Sequence, residues 1–278
     1  MGLESSLSID IGAMDSQVLV IGGKKKFIKR ARKIGGNFLR IIEPVFFGEF
    51  FKYLPNNYHR KFPKNQRELL EKEFKTWNLW KKEGIPTLNL QNFSGDEIEW
   101  GYLEGSRSLR QSLNFCQDEK TFLNFLELYQ KIRSLAKTKN NSDYLHSDPH
   151  LGNFLISKEK EIYPIDPGCL LKEELGINEL TFSLLKQTLC SIIFLNTDIS
   201  SKKNYVSSFN QSLNKSEKER FLQEFNKNKT IPILPRVYFK LREEFVSRVK
   251  KREKIDPFLE LKDFQDKYET HFKDVFEN

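Results

Sequence analysis

The chain has 278 residues, enough for two subdomains around one cleft or for one large domain, and its 38% hydrophobic and 13% aromatic content excludes a disordered chain. A net charge of +8 suits an anionic partner such as a nucleotide, a phosphorylated glycan or an anionic membrane face, whereas no basic helix interleaved with base-stacking aromatics speaks for nucleic acid. Cys116, Cys169 and Cys190 are far apart with no C-x-x-C pair, which speaks against a disulfide framework or a zinc knuckle. With no basic-then-apolar leader pattern and no apolar run of about eighteen residues, the chain reads as cytoplasmic.

Residues 7–12 and 17–21 alternate or run apolar over strand lengths, and Gly22-Gly23 turns the chain into a third antiparallel strand over 26–31. An aromatic stretch follows at 46–54, bounded by Pro44 and Pro55; core packing is its first reading and an interfacial contact its second. Residues 65–83 read as a helix closed by Gly84 and Pro86, with Leu70, Trp77 and Trp80 on one stripe. Glu73 falls on that same stripe, and a carboxylate on the core side of a helix needs a cation.

Residues 96–103 read as another strand, broken at Glu104-Gly105. Beyond it the pattern turns helical. Residues 118–139 carry Phe122, Phe125, Leu126, Tyr129, Ile132 and Leu135 at three-to-four spacing, and 179–195 is apolar on most sides. Ser216-Glu217-Lys218-Glu219 has capping-box spacing, and 236–254 and 257–276 suggest further helices. The pattern is α+β: a strand-rich front over 1–103 and a helix-rich back over 104–278, joined near 104–106.

Chemistry concentrates in Tyr144-Leu145-His146-Ser147-Asp148-Pro149-His150-Leu151-Gly152-Asn153-Phe154-Leu155-Ile156, followed by Ile162-Tyr163-Pro164-Ile165-Asp166-Pro167-Gly168. Phosphoryl transfer needs one carboxylate to orient the attacking hydroxyl and take its proton, and hard oxygen ligands for the magnesium that bridges the phosphates. Asp148 suits the first task; Asn153 and Asp166 suit the second. The spacing predicts a loop from Asp148 to Asn153, a buried strand over 154–156, a polar turn over 157–161, and a return strand that delivers Asp166 beside Asn153. His146 is expected to brace the loop, and His150 either assists near the γ-phosphate or braces as well.

This arrangement demands a strand lysine for the phosphates and a helix carboxylate to hold it. In Phe27-Ile28-Lys29, alternation puts Phe27 and Lys29 on one face, so Phe27 can cover an adenine while Lys29 points into a cleft and pairs with Glu73. Lys26 is the alternative phosphate lysine. Around Gly12, a segment with one glycine and no G-x-G-x-x-G supplies amides that can cap phosphate. Glu104, at the junction, completes the nucleotide-contacting candidates.

These residues resemble those of the protein-kinase-like superfamily, and Asp148-Pro149-His150-Leu151-Gly152-Asn153-Phe154 with Ile165-Asp166 resembles the lipopolysaccharide core heptose kinases in particular. The Phe-rich stretch before the helix adds to the likeness, and Glu73 placed eleven residues before Gly84-Ile85-Pro86 also looks like the Kdo kinases of the same clan. The resemblance implies a bilobal fold, ATP and magnesium as cofactors, and transfer to a sugar hydroxyl of a glycan or lipid-linked acceptor, with peripheral contact at the inner membrane. Protein or small-alcohol kinases of the same fold, and a nucleotide-binding pseudokinase serving as an interaction module, are the alternatives. Two departures stand out: Pro167 replaces the Phe of D-F-G, and Ser147 replaces the Arg that reads a phosphorylated activation loop.

Overall fold

In the computed structural model, the structure describes residues 14–21, 24–31, 60–61, 63, 65, 67–116, 118–225 and 273–277. The strand expected at 7–12, Gly12 and Ala13, the Phe-rich stretch and the helix expected at 236–254 lie outside these, as does most of 257–276; Met14, Asp15 and Ser16, expected with Gly12 in a phosphate-capping loop, are instead paired in a strand with Ala31, Arg30 and Lys29.

The described chain is a mixed α and β structure with small antiparallel sheets and several helices. Strands β1 (Met14–Ile21) and β2 (Lys24–Ala31) pair antiparallel, from Met14 opposite Ala31 to Ile21 opposite Lys24. β5 (Glu97–Gly101) adds to the other edge of β2, and β4 (Leu90–Phe93) closes a four-stranded sheet of order β1-β2-β5-β4. Register between β2 and β5 sets Phe27 opposite Trp100 and Lys29 opposite Ile98. A slip of one residue would turn Lys29 to the opposite face.

Helix α1 (Arg67–Lys82) packs on this sheet through the predicted stripe: Leu70, Trp77, Ile98 and Trp100 form one buried cluster, with Phe27 against its edge. The same helix reaches the rest of the molecule from its far end. Trp80 is fully buried in a second cluster with Ile132, Leu145 and Leu184, and its indole Nε1 donates to the Tyr144 carbonyl at 2.8 Å. Lys72, also buried, donates to Asp143 at 2.7 Å.

The helical part is built on α3 (Glu119–Lys139) and α4 (Gly176–Ile193), which bury Phe122, Phe125, Tyr129, Leu185 and Leu189 in one core with Phe154. Asp118 caps α3 by accepting from the Thr121 amide at 3.1 Å. β6 (Arg107–Ser108), ahead of α3 in the chain, joins β7 (Phe154–Ile156) and β8 (Ile162–Pro164) in a three-stranded sheet. Two short strands, β3 (Arg60–Lys61) and β9 (Leu170–Leu171), pair separately.

Six elements escape the sequence pattern: β3, β4, β6, β9, α2 (Leu109–Cys116) and α5 (Ile199–Gln211). The four strands are only two to four residues long. Helix α2 opens with a reciprocal box of its own, in which Ser108 N donates to Gln111 Oε1 at 3.0 Å and Gln111 N to Ser108 Oγ at 3.2 Å. For α6 (Lys215–Phe225) the expected box is displaced by two residues. Asn214 and Glu217 form it, Glu217 N donating to Asn214 Oδ1 at 2.9 Å and Asn214 N to Glu217 Oε2 at 3.1 Å. An Asn caps as well as a Ser, and Glu217 is additionally held by Arg133 at 3.0 Å. The last described element is α7 (Lys273–Glu277). Among the described residues, no helix is long and apolar enough to cross a membrane.

Because the Trp80 indole and the Tyr144 carbonyl are mutual partners, Trp80→Phe keeps most of the ring but strands a backbone acceptor. Urea denaturation is expected to register a loss of about 1–3 kcal/mol.

Candidate functional site

The loop and hairpin form as their spacing predicts. Ser157 nucleates the polar turn, its hydroxyl accepting from the Glu159 and Glu161 amides at 3.1 and 3.2 Å, and Lys160 takes the left-handed conformation at φ 66°. β7 and β8 then pair with Phe154 opposite Pro164. One residue beyond the ladder, Ile165 N donates to the Asn153 carbonyl at 2.8 Å, which brings residue 166 alongside residue 153.

Asn153 closes the loop on itself. Its Nδ2 donates to the Asp148 carbonyl at 2.9 Å, so Oδ1 is the atom left to face outward as a hard oxygen ligand. Asp166 sits at φ 57°, a left-handed conformation that a non-glycine residue adopts at a cost of about 1 kcal/mol. The Lys29 ammonium holds it there as an ion pair. Magnesium is commonly bound through one or two protein ligands while keeping water and phosphate oxygens, and the pair Asn153 and Asp166 fits that donor set.

Lys29 is the meeting point. Its Nζ donates to Glu73 Oε2 at 2.7 Å and to Asp166, with the lysine side chain 8% exposed, that of Glu73 2% and that of Asp166 50%. Burial would lower the lysine pKa, yet the charges of Asp166 and Glu73 hold it above its ordinary value. For Asp166, burial pushes the carboxyl up but Lys29 outweighs it and keeps the group below the usual carboxylate range. Glu73 bears the desolvation: burial pushes its carboxyl up, with Lys29 pulling against it. Lys26, the alternative lysine, pairs instead with Glu99 at 2.5 Å.

His146 is fully buried between Trp80 and Phe154, ring centroids 5.6 and 4.9 Å away. Its Nδ1 accepts from the Asp148 amide at 3.3 Å, so the proton belongs on Nε2, which faces the Asn153 carbonyl at 3.4 Å. It braces both ends of the loop. Burial holds its pKa down at about 4, so the ring stays neutral. His150 is more exposed: its Nδ1 accepts from Gly152 N at 3.1 Å, and its Nε2 lies 3.8 Å from Asp148 Oδ2.

Phe27 shares a face with Lys29 as expected, its ring tilted on Trp100 at 5.6 Å. Glu104 is not brought to the site. It is exposed, paired with Lys25 at 3.4 Å, and among the described residues it makes no hydrogen bond or ion pair with Lys29, Glu73, Asp148, Asn153 or Asp166. A residue at the tip between two elements is drawn to solvent unless a buried cation claims it, as happens to Glu73. Gly12 lies outside the described residues.

Four site features go unread in the sequence. Arg60, on β3, donates from Nη2 to Asp148 Oδ1 at 2.6 Å. Gln187, on α4, donates to the same oxygen, and its neighbours on that helix also support the loop: Thr188 Oγ1 donates to the Pro149 carbonyl at 3.2 Å, and Ser191 Oγ accepts from Leu151 N at 3.3 Å. Ser147 Oγ donates to the Pro167 carbonyl at 2.6 Å and accepts from Cys169 N at 2.9 Å, clasping the segment that carries Asp166. Gly168 lies so close to α1 that a Cβ there would stand 2.9 Å from Glu73 Oε2 and 3.1 Å from the Leu69 carbonyl. Gln187 carries a signal, a polar residue in an apolar helix, of the kind that exposes Glu73. Arg60 carries none, because a two-residue strand leaves no periodicity.

Neither a scan against protein-family models nor a search of curated proteins finds a match to this chain.

Two measurements check this geometry. His146 has a folded-state pKa below its ordinary 6.5, so its contribution to stability is complete above pH 6.5 and is lost as pH falls towards 4. Between pH 6.5 and 4.5 that loss is about 2 kcal/mol, and urea titrations of His146→Asn, which cannot titrate, are expected to show a correspondingly flatter pH profile. Gly168→Ala presses on Glu73 and the Leu69 carbonyl, and a loss of about 1–3 kcal/mol should appear in thermal unfolding.

Proposed function

We propose that this chain is an ATP- and magnesium-dependent phosphotransferase with a bilobal, protein-kinase-like fold, residues 1–103 binding nucleotide and residues 104–278 carrying the catalytic loop and acceptor site. One observation carries the proposal. A single buried lysine from the front sheet joins the helix carboxylate Glu73 to Asp166, while the same hairpin that delivers Asp166 delivers Asn153 and is braced against Asp148. Lys29 is the cation for the α- and β-phosphates, and Glu73 keeps it aimed.

Asn153 and Asp166 are the residues that would hold magnesium, whose chemistry is to neutralise charge on the phosphate oxygens. Asp148 accepts the proton of the acceptor hydroxyl as its oxygen forms a bond to the γ-phosphorus and the bond from that phosphorus to the β–γ bridging oxygen breaks, ADP leaving with the electron pair. One carboxylate oxygen of Asp148 is anchored by Arg60 and Gln187. The other, near His150, is the one oriented to receive the hydroxyl.

The acceptor we propose is a sugar hydroxyl of a lipopolysaccharide core or a similar lipid-linked glycan, reached in the cytoplasm at the inner membrane. The resemblance of the Asp148 to Phe154 segment to heptose kinases supports this class, and the net charge of +8 suits an anionic acceptor. The Ser147 clasp, at the place of a phosphate-reading arginine, supports a constitutively arranged site over one switched by loop phosphorylation.

Incubation with ATP, magnesium and core oligosaccharides is expected to give phosphorylated product by mass spectrometry. Asp148→Asn should lower turnover by on the order of 100-fold or more with nucleotide affinity retained, and Asp166→Asn should remove the magnesium dependence of nucleotide binding. Nucleotide binding with turnover unchanged in both variants would defeat the proposal.

A further inference from the structure

Arg60 is a second cation at this site, its side chain 28% exposed, and it comes from neither the hairpin nor α1. It is held by β3, whose two residues pair with β9, Arg60 opposite Leu171 and Lys61 opposite Leu170. β9 follows the Asp166-Pro167-Gly168 segment directly, so the arginine is tied to the chain that carries Asp166 and points to the loop that carries Asp148. One guanidinium arm is spent, Nη2 on Asp148 Oδ1 at 2.6 Å. The Nε is buried and has no hydrogen-bond partner among the described residues.

A guanidinium presents five donors in a fixed fork, and a buried donor left without a partner is costly unless a ligand supplies one. Gln187 independently donates to the same Asp148 oxygen, and that glutamine's own Oε1 is buried and unpartnered among the described residues as well. Asp148 is therefore held twice over, which is more than positioning one carboxylate requires. His150, the polar side chain of the loop on the other carboxylate oxygen, offers an imidazole, whereas Arg60 offers a guanidinium that is always charged. Lys29 is already shared between Glu73 and Asp166. Among the described residues, Arg60 is the one always-charged group paired with Asp148.

We infer that Arg60 binds the terminal phosphoryl group of the nucleotide, with one arm on Asp148 and its remaining donors on the γ-phosphate oxygens. It is a phosphate-binding residue supplied by β3 and held in place through β9. The inference rests on the phosphotransferase proposal above, and it deepens it by assigning the γ-phosphate cation.

The test is calorimetric binding, with magnesium, of ADP and of the β,γ-imido analogue of ATP to the full chain and to Arg60→Ala, Arg60→Gln and Arg60→Lys. In Arg60→Ala and Arg60→Gln the imido analogue is expected to weaken on the order of tenfold to a hundredfold with ADP affinity unchanged, Arg60→Lys falling between. Added guanidinium ion should restore part of the analogue affinity to Arg60→Ala and none to the unsubstituted chain. The glutamine variant keeps donors for Asp148, so it carries the comparison where the alanine variant fails to fold. Equal loss for both nucleotides, or loss for neither, overturns the assignment while leaving the phosphotransferase proposal standing; the second result would place Arg60 at the acceptor or in a purely structural role. If the unsubstituted chain binds neither nucleotide, the proposal beneath falls and this one with it.

Discussion

A buried ammonium must be compensated, and the position of nearly every chemically interesting group in this protein follows from how Lys29 is compensated. Its two partners come from elements far apart in sequence, Glu73 on α1 and Asp166 beyond β8. Losing Lys29 would leave Glu73, with a side chain only 2% exposed, as a carboxylate without its partner in an interior that solvates it poorly, whereas the half-exposed Asp166 would be taken up in part by water. The sheet, the helix and the hairpin are thus held in one relative arrangement by a single cation. Asp166 can occupy its left-handed backbone conformation because the surrounding contacts hold it there: Lys29 on its carboxylate, and the Ser147 hydroxyl on the residues that follow.

Helix α1 extends that arrangement toward the loop. Its buried stripe faces the sheet at Leu70 and Trp77, and its polar atoms meet the loop's approach at Lys72 and Trp80. From the opposite side, α4 meets the loop with Gln187, Thr188 and Ser191, three polar groups on a helix that is otherwise largely apolar. His146 fills the space between, neutral because it is dry. The loop is therefore fixed by hydrogen bonds to rigid helices together with those made by its own His146, His150 and Asn153.

Most of this arrangement is legible in the order of the amino acids, for identifiable reasons. Glu73 betrays itself by standing on an apolar stripe, and the hairpin by the spacing of two short apolar runs around a polar turn. Local periodicity locates α1, α3 and α4 to within a few residues. What periodicity cannot reach is set by tertiary pairing: Arg60 meets Asp148 only because β3 finds β9, a ladder of two residues on each side. The box at α6 is shifted from its expected place because Asn214 competes as a cap with Ser216, and the choice is settled by Glu217 also answering Arg133 across the fold. Glu104 stands in solvent for the converse reason, paired with the exposed Lys25.

The hairpin has two ends of very different character. At one, the Asn153 side chain ties back to the Asp148 carbonyl and fixes the number of residues between them. At the other, Lys158, Glu159 and Lys160 stand in solvent, with the backbone bonded inward only through Ser157. Length is thus rigidly prescribed on one side of a three-residue ladder and lightly prescribed on the other. A fluorophore or a short inserted peptide placed at that outer tip would sit on the same two strands that carry Asn153 and Asp166, and would serve as a reporter coupled to them through the ladder without entering their surroundings.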